Sequence, residues 1–417
     1  MTLGEAEMAF LQHYFREYYV RTSASLQPPK DFDKREFGFI PFRRERGMIR
    51  HKGFRSRAEL TAFLASFVPS DVYYSSAYYE RPEAEDMAGK GWLGADLVFD
   101  IDSDHIVTPC KTVHDSWKCL NCGFEGQGIE ADKCPRCGKR RIEADKWVCE
   151  QCLDAAKRET LKLLSILEED FNFSQTQVEV AFSGHRGYHV HVVDEAVSKF
   201  GSEERKEIVD YVLALGLKAS IVYPELRGRG LFKPDFLAEG WRGRMARAFY
   251  SLLLKREDEL RGLGLTEKTV RFLERGRERL LKELSAGDVV SIPRKTLEKL
   301  LQAATSLEAA LVDTVVTTDV HRLIRLPGSL HGKTGLKVVS IGVGKLPEFN
   351  PLTEALAFQE TETVRVKIVK PKPLKLGGVE YRFKAGEAVK LSKSPAIYML
   401  GTGVALLEGK LQPPEAK

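Results

Sequence analysis

All seven cysteines of this 417-residue chain fall between Cys110 and Cys152, and that crowding constrains the fold more than any other feature. Scattered cysteines would read as small core residues. These include three pairs with two residues between the sulfurs: Cys119/Cys122, Cys134/Cys137 and Cys149/Cys152. Such spacing lets one tight turn aim both thiolates at one metal ion. Gly123 and Gly138 follow two of the pairs, where a turn of this kind calls for positive φ. An odd cysteine count suits metal ligation better than disulfides. A structural zinc takes four nitrogen or sulfur ligands, and seven cysteines with His114 make eight, enough for two sites. Cys119, Cys122, Cys134 and Cys137 read as a self-contained zinc ribbon. Cys110, His114, Cys149 and Cys152 read as a second site closing around its base. Cys110 and His114 also fit a buried thiol and a surface imidazole. Neither set leaves an open coordination position, so both read as structural.

Apolar residues make up 43% of the chain and charged residues 29%, which supplies a core and excludes a mostly disordered polypeptide. At about 150 residues per domain the length suggests two to three structural units. Lys+Arg exceed Asp+Glu by 64 − 59 = 5, so nucleic acid is a permitted partner that charge alone does not demonstrate. The first twenty residues mix Glu, Arg and His among apolar ones, unlike a signal peptide, and no run of 18 apolar residues follows. The expectation is a soluble, cytoplasmic protein with no membrane segment.

Helical spacing covers 5–21, and Ser23, Ser25, Pro28 and Pro29 mark a loop. Strands are expected at 37–42, 48–54, 71–77 and 95–101, a helix at 56–67, and a hairpin from 178–183 and 188–193. Residues 201–310 turn helix-like, with helices at 204–215, 241–260 and 293–307. Short strands return over 336–400. Within them VRVKIVKPKPLKL, with four Lys and one Arg, reads as a solvated strand edge rather than a nucleic-acid contact. The tail Pro413–Lys417 is expected to fray.

Chemistry concentrates in three segments. In ADLVFDID, Asp100 and Asp102 are two apart on a strand and share one face, with Phe99 and Ile101 on the other. Adjacent carboxylates repel unless they hold a divalent cation, and aspartate oxygens suit Mg²⁺ or Mn²⁺. Ser183-Gly184-His185-Arg186-Gly187 forms the tip of the hairpin, and small residues there let Ser183, Arg186 and His189 offer donors to phosphate oxygens. A solvated pair and a polar surface hairpin are the plain alternatives. In DTVVTTDVHRLIRLPGSLHGKTGL (313–336), Asp313 and Asp319 are carboxylate candidates. His321, Arg322, Arg325, His331 and Lys333 make the stretch cationic, as a solvated basic loop would also be. Acids for metal beside cations for a triphosphate are what nucleotidyl transfer requires.

Taken together, REFGF (35–39), DLVFDID (96–102), SGHRGYHVHV (183–192), HRLIRLPGSLHGKTGL (321–336) and VCEQCLDAAKRE (148–159) resemble the catalytic small subunit of archaeal and eukaryotic DNA primase, the archaeal form more closely, over roughly residues 5–345. The resemblance implies a mixed α/β (α+β) catalytic core, a zinc-binding module and a helical insertion before the last aspartate. On that basis 1–105, 156–200 and 311–345 form the core and 106–155 the zinc module. Residues 201–310 form the helical insertion and 346–417 a C-terminal strand-rich segment of no argued role. It further implies template-directed, primer-independent synthesis on single-stranded DNA from nucleoside triphosphates, for replication. Asp100, Asp102 and Asp313 would be the catalytic ligands of two Mg²⁺ or Mn²⁺ ions, with Asp319 as the runner-up to Asp313. Ser183, Arg186, His189, Arg325 and His331 would bind the nucleotide. Glu36 and Arg50 match active-site positions loosely and equally fit ordinary surface charges. The implied partner is the large primase subunit, which carries an iron–sulfur cluster. Unlike the family's knuckle, residues 115–148 here insert an extra ribbon between the two halves of the outer site. A repair-type primase-polymerase, a metal-dependent nuclease and a zinc-ribbon scaffold are the rival readings.

Overall fold

Two four-stranded antiparallel sheets carry the acidic strand and both basic motifs. In this computed structural model the described residues are 3–22, 26–43, 47–227, 232–358 and 362–408. The loop signal at Ser23 and Ser25 and the tail at 413–417 lie outside them. Contacts divide the chain into two units: 1–158, 176–205 and 313–417, and 159–175 with 206–312.

In the larger unit the first sheet runs in the order Leu323–Arg325, Asp71–Ser75, Phe37–Ile40, Ile49–Lys52. The second runs Val339–Ile341, Val178–Phe182, Gly187–Val192, Leu97–Asp102. Over Phe99–Asp102 the burial alternates as the period of two requires: Phe99 and Ile101 are buried, Asp100 and Asp102 half-buried. Burying each such apolar side chain contributes about 1.5–3 kcal/mol, so a one-residue slip that turned the aspartates inward is strongly disfavoured. Register then sets the neighbours. His189 lies opposite Asp100, and Gly187 opposite Asp102. A Cβ at Gly187 would stand 2.1 Å from the Ile101 carbonyl oxygen, so only glycine permits this pairing. A buried polar seam connects strand ends in this unit. The Arg35 guanidinium lies 2.8 Å from the Asp96 carboxylate, both almost fully buried, and also donates to the Ser75 carbonyl. Arg205 donates to the carbonyls of Ala95 and Asp96.

Helix Arg57–Phe67 starts one residue later than expected because Ser56 serves as its cap, the hydroxyl accepting from the Glu59 N–H at 3.1 Å. Further on, Ser116–Cys119 pairs with Glu125–Gln127 and Ile142–Asp145 in a small three-stranded sheet.

The C-terminal segment departs from expectation. Thr363–Ile368 is the central strand of a three-stranded sheet, not an edge. Its Val364, Val366 and Ile368 are buried while Arg365 and Lys367 face solvent. The segment also contains a buried helix, Lys393–Gly401, whose even apolarity hides the helical period, followed by the edge strand Ala405–Leu407.

The smaller unit is helical, built on Gly240–Leu254, Glu267–Ser285 and Arg294–Glu308 around a core including Phe249, Leu273 and Leu300. The expected single helix over 241–260 breaks at Lys255–Arg256, and a second begins at Glu257. Residues 159–175, read as core from the sequence, belong to this unit. Buried Arg244 holds them, donating to the Ser165 carbonyl and to Asp170 Oδ2, each at 2.8 Å.

Candidate active site and metal clusters

The acidic strand, the hairpin tip and the strand Leu323–Arg325 enclose a cleft of roughly 190 Å³. Asp100, Asp102, Ser183, Arg186, His189, Arg325 and His331 all line it, so seven of the residues selected from sequence meet at one place. Asp313 stands beside them: its N–H donates to the Asp100 carbonyl at 2.9 Å. Its carboxylate accepts from the Val315 N–H and caps a short helix, Thr314–Thr318. Burial, then the charges of Asp102 and Asp313, push the Asp100 carboxyl up to about 7. Burial pushes Asp102 up as well, against the opposing charge of Arg186. Asp319 lies at the other end of the helix, where it accepts from the His321 N–H. Buried Asp102 Oδ1 has no hydrogen-bond partner among the described residues. An orphaned carboxylate oxygen beside a carboxyl that resists ionisation makes Asp100 and Asp102 an acid pair whose repulsion a divalent cation would relieve.

The cationic side is assembled from two turns far apart in sequence. The Thr334 hydroxyl donates to the Gly184 carbonyl at 2.6 Å, and the His185 and His331 rings lie 4.8 Å apart. Gly184 has φ of +81° and its missing Cβ leaves room for His331, whose Cβ would stand 2.8 Å away. Arg186 reaches Asp102 at 2.9 Å and Asp104 at 2.5 Å. Burial, then neighbouring cations, hold His185 and His331 neutral, well below the ordinary imidazole value. Burial chiefly drives His189 down to about 3, and its Nε2 stands 3.6 Å from Asp100. His331 Nδ1 accepts from the Lys333 N–H, which leaves the Nε2 proton free to donate. The Ser183 hydroxyl oxygen accepts from the Gly187 N–H at 3.3 Å.

Both cysteine clusters form. Cys110, His114, Cys149 and Cys152 bring their ligand atoms within 4.8 Å of one another, as do Cys119, Cys122, Cys134 and Cys137. Tetrahedral ligands about 2.3 Å from a zinc ion stand roughly 3.8 Å apart. The observed sulfur pairs, 3.5 to 3.8 Å, match that spacing. His114 Nε2 lies 3.4 Å from Cys152 Sγ while Nδ1 lies 2.7 Å from Asp115, the carboxylate orientation that metal-bound imidazoles use. His114 is therefore a buried ligand candidate and not a surface imidazole. The two clusters could hold zinc.

Several participants carried no sequence signal. Asp71, nearly buried, accepts from Arg325 at 2.5 Å and from the Gly332 N–H at 3.0 Å, so one acid aims the cleft arginine and fixes the second turn. The Arg325 guanidinium also sits over the Tyr73 ring, 4.9 Å from its centroid. Tyr73 lines the cleft too, as does Arg322 of the cationic stretch noted in the sequence. Buried Lys111 donates to the carbonyls of Ser103 and Asp104, tying the outer metal cluster to the end of the acidic strand. Glu36 is no surface charge: it is fully buried, paired with Arg50 at 2.9 Å and with Lys90 at 3.3 Å, and neither Glu36 nor Arg50 lines the cleft. Three lysines of the C-terminal segment have specific partners in the cysteine-bearing module. Lys370 meets Asp145, Lys372 donates to the His114 carbonyl, and Lys375 meets Glu150. Trp147 donates to the Pro373 carbonyl.

A family model described as the DNA primase small subunit matches residues 129–342. A DNA primase small subunit of Methanothrix thermoacetophila is 35% identical over 423 residues, covering 95% of this chain and 98% of that protein. The Archaeoglobus fulgidus subunit is 36% identical, over 95% of this chain and 97% of its own. That of Cenarchaeum symbiosum is 34% identical, over 97% and 99%. Among the described residues no helix is long and apolar enough to cross a membrane.

Proposed function

This chain belongs to the archaeal-type DNA primase small-subunit family, a DNA-directed nucleotidyltransferase, and from that premise we propose that it starts short primers on single-stranded DNA for replication, using the cleft between Asp100 and Arg325. The observation carrying this reading is the meeting, in one cleft, of an acid pair with an orphaned oxygen and a set of phosphate donors. Asp100, Asp102 and Asp313 would hold two Mg²⁺ or Mn²⁺ ions, which lower the pKa of the attacking hydroxyl and offset charge on the departing pyrophosphate.

The chain's own groups bind and orient the triphosphate. Arg325, held by Asp71 and Tyr73, presents a fixed guanidinium fork suited to bidentate phosphate binding. Arg186 spans from Asp102 to Asp104 and keeps the acidic and phosphate-binding halves in register. The Ser183 hydroxyl hydrogen and the His331 Nε2 proton are donors directed at phosphate oxygens. His189 stays neutral at working pH, so it adds a hydrogen bond without adding charge. The two Cys/His clusters take structural zinc, and the outer one braces the acidic strand through Lys111. The large primase subunit is the expected partner, with nucleoside triphosphates and a DNA template as substrates inside the cell.

The test uses the purified chain, single-stranded DNA, labelled nucleotides and Mg²⁺ or Mn²⁺ without primer, repeated with the large subunit if the chain alone is silent. Short labelled chains, lost in Asp100→Ala/Asp102→Ala, are expected. Products that form only when a primer is supplied would overturn the replicative reading in favour of a repair polymerase.

A further inference from the structure

The ribbon at 115–148 has no part in the cleft, and its outer loop carries an unusual charge arrangement. Lys133, Arg136, Lys139, Arg140 and Arg141 place five cations within nine residues with no acid among them. All five are exposed. Only Arg140 finds a carboxylate, Asp132 at 3.5 Å. The other four have no carboxylate partner among the described residues, so the loop gathers four unpaired cations in one short stretch. Mutual repulsion in such a cluster is unrelieved until an anion arrives.

The loop is also rigidly presented. The Cys134 N–H donates to the Lys139 carbonyl, the Gly138 N–H to the Cys134 carbonyl and the Leu120 N–H to the Arg141 carbonyl. Gly138 supplies the positive φ of +69°. A polyanion meeting this loop therefore orders little new backbone. No aromatic residue lies in 133–141, so the loop offers charge without a stacking platform, the chemistry of backbone binding without base selection.

The base of the ribbon leads back to the cleft. Lys146 stands 3.8 Å from Asp104 and 3.8 Å from Glu130, and Asp104 also binds Arg186, which lines the cleft. We propose that this inserted ribbon is a second nucleic-acid contact, gripping the sugar–phosphate backbone of single-stranded template where it leaves the cleft. The choice of single-stranded DNA as partner rests on the primase reading; the charge cluster does not.

The test measures binding of a labelled single-stranded oligonucleotide to the full chain by fluorescence anisotropy, without nucleotides or Mg²⁺, across a salt series. Each phosphate contact to a single strand contributes about 0.7 to the slope of log K against log salt. Arg136→Ala/Lys139→Ala/Arg141→Ala is expected to lower that slope by about 2 and to weaken binding at 0.1 M salt by up to roughly 100-fold, with two zincs per chain retained. An unchanged slope with zinc retained would overturn the proposal. Should the triple variant lose zinc, the three single variants decide, each expected to lower the slope by about 0.7. A loss confined to duplex DNA would overturn the single-strand assignment. Because no synthesis is measured, failure of the primase reading appears separately: wild type would make no primers whether or not the ribbon binds.

Discussion

Replacing Asp100 by Asn should make the protein inactive and, without added Mg²⁺ or Mn²⁺, more stable. Asp100 lies in an acid cluster and its carboxyl is pushed from 3.8 to about 7, by burial first and then by Asp102 and Asp313. At 1.36 kcal/mol for each tenfold change in the ionisation constant, that displacement is worth on the order of 4 kcal/mol. Below about pH 4 the side chain is neutral in both folded and unfolded chains and costs nothing. Between about 4 and 7 the folded protein keeps a proton that the unfolded chain has released, so stability falls as pH rises. Above about 7 the full penalty is present. An amide carries no such charge, so Asp100→Asn should gain about 2–4 kcal/mol at pH 8 and only about 0.5 kcal/mol at pH 4. With roughly 2–4 °C per kcal/mol for a unit of this size, the unfolding midpoint should rise by about 5–10 °C at pH 8. Thermal unfolding of zinc-loaded protein at both pH values measures this. Adding Mn²⁺ should stabilise the wild type by mass action and leave the variant nearly unmoved. Equal midpoints at pH 8, or a variant destabilised alike at both pH values, would refute the reasoning that these acids form an unsatisfied cation site.

Two further outcomes follow from groups that touch the cleft indirectly. Asp71→Asn removes the charge that aims Arg325; since a hydrogen bond to a charged group is worth about 1.5–3 kcal/mol, the KM for nucleoside triphosphate should rise roughly 10- to 100-fold in steady-state primer synthesis while zinc content and unfolding midpoint change little. Lys111→Met cuts the tie between the outer cluster and the carbonyls of Ser103 and Asp104; kcat should fall about tenfold with both zincs bound by metal analysis, and an unchanged kcat would dismiss that brace.

What could be read from sequence here was set by short-range geometry. Two residues between cysteines make a metal-binding turn wherever the turn is placed, and a strand's period of two puts Asp100 and Asp102 on one face before any partner strand is known. The hairpin around Gly184 and Gly187 is local in the same sense. Long-range packing decided the rest. Asp313 and Asp319 sit at opposite ends of one five-residue helix with similar surroundings in sequence, and it is the fold that brings Asp313 to Asp100, through its N–H bond to the Asp100 carbonyl and its charge on the Asp100 carboxyl. Asp71 joins the site because its strand pairs with Leu323–Arg325, some 250 residues on, and Glu36 is buried rather than solvated because Arg50 and Lys90 close over it. The lysines after Val369 read alike as solvent-facing charges, yet three of them meet the metal module. A charged residue's type states what it can bind; which partner it meets depends on chain segments that only the folded sheets bring within a few ångströms.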